Sequence, residues 1–225
     1  MEKVTRRSLL QSAGLLFFCG VQLQADDTAD DERKRKLKKL EYLLNPPKKE
    51  HYADFEFQLD ETKFVYVHPS TKLLNESRLT EIVPESLFER IGKDDDNILY
   101  LAPRRFLISG ADRLKKIAEN SSLQMYPTWT HQNDDYIPIG TISLEPKSRE
   151  FVPALIKYGE DKKLKLIEFN KELNIIRFRL IDISHYVSVF EAVRDLLKEG
   201  KAEWCEPDFS FKIRKFQSKI ERVNK

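Results

Sequence analysis

Cysteine and glycine are both scarce in this chain of 225 residues, with two of the first and seven of the second. Cys19 sits in an N-terminal apolar run, so Cys205 would be the one cysteine left after processing. That excludes an internal disulfide and a cysteine-based metal cluster. Cys205 follows Trp204 in a strand-like run and reads as a small packing residue rather than a nucleophile. Beyond residue 25 only Gly92, Gly110, Gly140, Gly159 and Gly200 remain, mostly where elements should end. No glycine-rich phosphate loop and no G-x-S-x-G elbow is present. The four histidines, His51, His68, His131 and His185, form no H-x-x-x-H pair and read as surface or turn residues. No catalytic residue, cofactor or metal is therefore expected. Nor does either charge dominate: 39 Lys and Arg face 37 Asp and Glu. That balance gives no reason to expect a nucleic-acid partner.

A hydrophobic fraction of 40% with 14 phenylalanines argues for a globular protein. Residues 1–25 read as an export signal. Thr5-Arg6-Arg7-Ser8-Leu9-Leu10 leads an apolar run, too short to span a bilayer comfortably, that closes at Ala25. The pattern resembles a twin-arginine signal, with a plain secretory signal as the alternative. Cys19 lacks the small preceding residues of a lipidation site. The expected location is the periplasm or the outside of the cell, with no membrane contact after signal removal and a monomer when free. Residues 26–50 change from acidic to basic and carry Leu37, Leu40, Leu43 and Leu44 at helical spacing before Pro46-Pro47. They predict a charged, solvated linker or a short surface helix.

Residues 51–135 predict a smaller α+β module. FEFQL (55–59) and KFVYVHP (63–69) read as two strands around a tight Asp60-Glu61 connection. A short helix is expected over 80–91, stopped by Gly92. Asp94-Asp95-Asp96-Asn97 should form a solvated loop, since a calcium loop needs spaced ligands and a glycine turn. NILYLAP reads as a strand, ADRLKKIAEN (111–120) as a helix and LQMYPTW as a strand.

Residues 136–213 give the clearer pattern. IPIGTISLEP is a strand, and 151–158 a helix with Gly159 as its stop. KKLKLIEF (162–169) and LNIIRFRLID (173–182) form a hairpin. The helix over 184–200 should be capped by Ser184, stopped by Gly200 and packed through Tyr186, Val189, Phe190, Val193, Leu196 and Leu197. KAEWCEPDFSF closes the module. The order βαββαβ predicts a ferredoxin-like open antiparallel sheet with two helices on one face. The other face would carry Lys163, Lys165, Arg177 and Arg179 beside Ile167, Phe169, Ile175 and Cys205. Such a face is either solvated or a docking surface. Residues 214–225 form a basic tail.

YIPIGTISLEPKS, the helix closed by KYG, the hairpin LKLIEFNKELNIIRFRL, the helix VFEAVRDLLKEG and the strand KAEWCEPDFSF together resemble the N-terminal prodomain of secreted subtilisin-like serine proteases. The likeness covers about residues 136–213 and is most specific from Val189 to Phe211. It implies a non-catalytic protein that binds a subtilisin-like protease as inhibitor, folding helper or both, docking by its open sheet face. It further implies that Glu206 and Asp208, which flank Pro207, cap helix N-termini of the protease. Exposed N–H groups and partial positive charge at a helix start favour carboxylates. Lys163, Lys165, Arg177 and Arg179 would join them in the contact. The chain departs from the family by ending at Lys225 without a catalytic domain, and its basic tail does not look like an extended substrate. A remnant that binds without a protease partner, or a small enzyme on a ferredoxin-like fold, are the alternatives.

Overall fold

The computed structural model describes residues 28–94, 96–132 and 134–212. The expected export signal with Cys19, and the basic tail 214–225, lie outside them. The fold is mixed α+β, with few helices on one antiparallel sheet of nine strands. In chain order the strands are β1 (Lys49–Tyr52), β2 (Phe55–Pro69), β3 (Glu89–Asp94), β4 (Asn97–Pro103), β5 (Gln124–His131), β6 (Asp134–Pro146), β7 (Leu164–Asn170), β8 (Ile175–Leu180) and β9 (Ala202–Lys212). The helices are α1 (28–44), α2 (Arg105–Ser109), α3 (Ala111–Asn120), α4 (Val152–Asp161) and α5 (Val189–Lys198).

The sheet runs β3-β4-β2-β5-β6-β8-β7, with β1 on β2 and β9 on β6. Two long strands make this continuity possible. β2 pairs with β1 through Phe55–Gln58 and with β4 from Lys63 onward, while β5 lies along its other edge. β6 pairs with β5 at Asp134–Tyr136 and with β8 at Thr141–Leu144, while β9 lies along its other edge. Between these two segments of β6, Gly140 takes φ +76° beneath the Tyr126 ring, where any Cβ would collide with the phenol. The Tyr126 hydroxyl donates to the Leu180 carbonyl at 2.8 Å, tying β5 to β8 where β6 changes partner.

The expected boundary at 135/136 therefore falls inside a shared sheet. One core joins Val65, Val67, Leu99, Leu101 and Trp129 to Ile142, Leu144, Phe178, Phe190 and Val193. A second core lies under α1, α2 and α3, around Phe64, Tyr66, Leu79, Leu107 and Leu114. Of the two forms expected for 26–50, the helix is present, and it is docked rather than solvated. Leu40 and Leu43 are buried, Lys39 Nζ donates to the Ile181 carbonyl at 2.8 Å, and Arg104 donates to the carbonyl of Leu44 at 2.5 Å.

Several local expectations are corrected. Residues 55–69 are one strand, because Asp60 Oδ1 accepts from Thr62 N and Oγ1 and forms a bulge rather than a hairpin turn. Residues 80–91 hold short 3-10 turns and the start of β3, with Gly92 inside that strand. α4 runs through Gly159, whose missing side chain admits the Phe178 ring; the left-handed residue after the helix is Lys163, at φ +58°. α5 is capped by Ser188, whose Oγ accepts from Glu191 N at 3.1 Å, while the Glu191 carboxylate accepts from Val187 N at 2.8 Å. Ser184 instead donates to the Lys163 carbonyl. His68 is buried in β2, 3.1 Å from the Tyr66 hydroxyl, and is not a surface histidine.

Candidate functional site

From β6 to β9 the chain order is strand, α4, two strands, α5, strand, and these four strands lie side by side as β9-β6-β8-β7. α4 and α5 share one side. Tyr158 of α4 donates to Asp195 of α5 at 2.7 Å, and Tyr186 donates to the same carboxylate oxygen. Alternation in the strands puts Cys205, Pro207, Leu144, Ile142, Ile176 and Phe178 towards the helices. The other side carries polar residues in register: Glu206 opposite Ser143, Ser143 opposite Arg177, and Arg177 opposite Glu168.

The two carboxylates flanking Pro207 have different surroundings. Asp208 is held within the sheet. Its Oδ1 accepts from Ser143 Oγ at 2.8 Å and its Oδ2 from Arg177 Nη2 at 3.2 Å. Arg177 also lies 3.8 Å from Glu168. Glu206 is exposed, and its carboxylate has no hydrogen-bond or ion-pair partner among the described residues. Partial burial, and then the charge of Asp208, raise its carboxyl above the ordinary range. A cation or N–H donor brought to Glu206 would offset both effects.

The four expected cations do not form one surface. Lys165 is exposed on β7 and pairs in register with Arg179. Arg179 is only 7% exposed and Thr141 is fully buried, so this part of the face is less open than the alternation implied. Lys163 precedes β7, and its backbone accepts from Ser184 and donates to Glu160. Cys205 and Phe169 belong to the helix-covered side, not the open face, because their register partners Leu144 and Ile176 line the core. Burial, then Glu206 and Asp208, push the Cys205 thiol well above its usual range, so it packs and does not supply a thiolate.

A groove of about 520 Å³ opens between β1 and β9. The sheet coils far enough to bring Tyr52, Phe55 and Phe57 opposite Glu206, Pro207, Asp208 and Phe209, with Tyr136, Ile139, Ser143 and Arg177 completing the lining. The rings interlock: Phe57 lies 5.0 Å from Tyr136 and 5.4 Å from Phe209, and Tyr136 lies 5.4 Å from Phe209. Phe55 is 49% exposed and meets His131 edge-on at 5.4 Å. Tyr52, Phe55 and Phe57 stand some 150 positions before Glu206 and Tyr136 lies in β6, ahead of α4, so these rings were not among the residues expected to act. The run of aromatic residues FEF beside HYADF was the one available signal.

Among the described residues no cluster of three or more His, Cys, Asp and Glu gathers as a metal site, and no helix is long and apolar enough to cross a membrane. The groove thus offers apolar rings, one unneutralised carboxylate and a sheet edge, a set suited to binding. Compared with known proteins, the chain matches no family model and no curated protein.

Proposed function

We propose that this chain is an exported, non-catalytic binding protein that engages a subtilisin-like serine protease as inhibitor, folding helper or both. One observation carries the reading: strands β9-β6-β8-β7 lie side by side with α4 and α5 on one side, an arrangement we read as a ferredoxin-like unit. In this reading residues 136–212 are a prodomain-like unit, and β1–β5 extend its sheet. Glu206 is the contact residue, because its carboxylate is exposed and has no partner among the described residues, and it can accept from the free N–H groups of a partner helix. Asp208 supports it indirectly by fixing Arg177 and Ser143. Lys165 and Arg177 border the same face and Lys163 is exposed just before β7, whereas buried Arg179 contributes little direct contact.

The test is inhibition of a subtilisin-type protease by the purified chain. Stoichiometric inhibition, or slow cleavage after tight binding, is the expected result. Glu206→Ala should weaken binding about tenfold with an unchanged melting temperature, as loss of a charge-assisted hydrogen bond does. Absence of any interaction between folded chain and protease would end the reading.

A further inference from the structure

We infer that the groove between β1 and β9 is a recognition site for a basic side chain, lysine or arginine, carried on an extended polypeptide of a partner protein. The site goes beyond the protease reading and does not need it, because β1 and β2 belong to the part of the chain that the prodomain resemblance leaves out.

The groove combines three properties. Its floor is aromatic, formed by Phe57, Tyr136 and Phe209 in mutual edge and stacked contact, with Phe55 half exposed at the rim. Ring faces attract cations and also accept the aliphatic stem of a lysine or arginine. Its charges do not balance. Arg177 is engaged by Asp208 and Glu168, which leaves Glu206 as a carboxylate without a counter-ion among the described residues. A cation is the ligand that neutralises it, whereas an anionic ligand would meet Glu206 and Asp208 together. The groove also lies between two strands that each pair on one side: β1 pairs with β2 alone and β9 with β6 alone among the described strands. Pro207 lacks an N–H and interrupts the β9 edge, which disfavours continuous strand addition and leaves recognition to side chains. An extended segment with its basic residue at Glu206 and an apolar neighbour over Phe55 satisfies all three.

The experiment uses the full chain and two fluorescein-labelled extended peptides, one alternating lysine with leucine and the other alternating glutamate with leucine. Saturable binding of the lysine peptide, weakening as salt rises, with no binding of the glutamate peptide, is expected. Glu206→Gln should weaken the lysine peptide about tenfold, and Phe55→Ala about threefold. Lys116→Ala, on the exposed side of α3 and outside the groove lining, should leave binding unchanged. Equal binding of both peptides, no binding of either, or an unaltered affinity in Glu206→Gln overturns the proposal. Peptide binding that survives alongside a failure to inhibit any protease would sink the protease reading alone.

Discussion

Lys39 shows how a charged residue can hold an element in place at a cost. It lies on α1, almost fully buried, with its ammonium on the Ile181 carbonyl and 5.7 Å from the centre of the Tyr126 ring. Burial lowers its pKa to about 8, against a weaker opposing effect of Asp182. Since the folded value is depressed, the unfolded chain binds more protons between pH 8 and the ordinary lysine range, and stability should rise with pH across that window. The gain approaches about 3 kcal/mol at its upper end. Comparing denaturant midpoints of wild type and Lys39→Met from pH 7 to pH 10.5 isolates the effect from the other lysines. The wild type should gain on the variant as pH rises, and parallel curves would show that Lys39 is not desolvated. Asp195 behaves in the opposite sense. Hydrogen bonds from Tyr186 and Tyr158, with Lys162 nearby, hold its carboxyl below the usual range despite partial burial. Its contribution is complete above the ordinary carboxylate pKa and is lost as pH falls through the depressed value. Asp195→Asn should cost about 1 kcal/mol at neutral pH and flatten the acid limb of the stability curve.

At the scale of elements, much of the second half was legible from periodicity alone. The strands over 137–146 and 202–211 and the buried face of α5 follow from alternation and from three- and four-residue spacing, except that Leu197, expected to pack, is exposed. The errors arose where two residues offered the same signal. Ser184 and Ser188 are both plausible caps, but only Ser188 has a glutamate three positions on, at Glu191, and that residue completes the reciprocal cap. Gly159 resembled a helix stop. Its role is close approach, which depends on Phe178, a residue placed opposite it only by tertiary packing. Gly159→Ala separates these explanations. Alanine improves helix propensity by about 1 kcal/mol, but its Cβ would lie 2.5 Å from the Phe178 ring. A net loss of about 1–2 kcal/mol is expected, because overpacking exceeds the propensity gain. A rise in melting temperature would mean that the ring yields freely. The groove was the least legible feature, for its walls are brought together by the coil of the whole sheet and by no local pattern.

At the scale of the molecule, the question is whether residues 136–212 can stand alone. Their element order alone would allow it, and the prodomain likeness encourages it. Their core argues otherwise. Phe190 of α5 packs against Phe57 at 5.4 Å and Trp129 at 5.6 Å, both from before residue 136. Arg194 of α5 reaches Glu50 of β1 at 3.1 Å, and that buried carboxylate also accepts from Tyr42 of α1. Asp182 accepts from Ser122 and from Leu123 N, and Lys39 and Tyr126 bind the carbonyls just before it. A cut at 135/136 would remove β5 from β6 and strip all of these contacts. The intact chain should therefore melt in one cooperative transition, and Phe190→Ala should lower it through the loss of about 3–4 kcal/mol. Expressed alone, 136–212 should lack near-ultraviolet dichroism and bind a hydrophobic dye. Two resolved transitions in the intact chain, or a folded 136–212 fragment, would restore a two-domain protein in which only the second half need meet a partner. A single transition would make β1 and the aromatic groove inseparable from whatever that half binds.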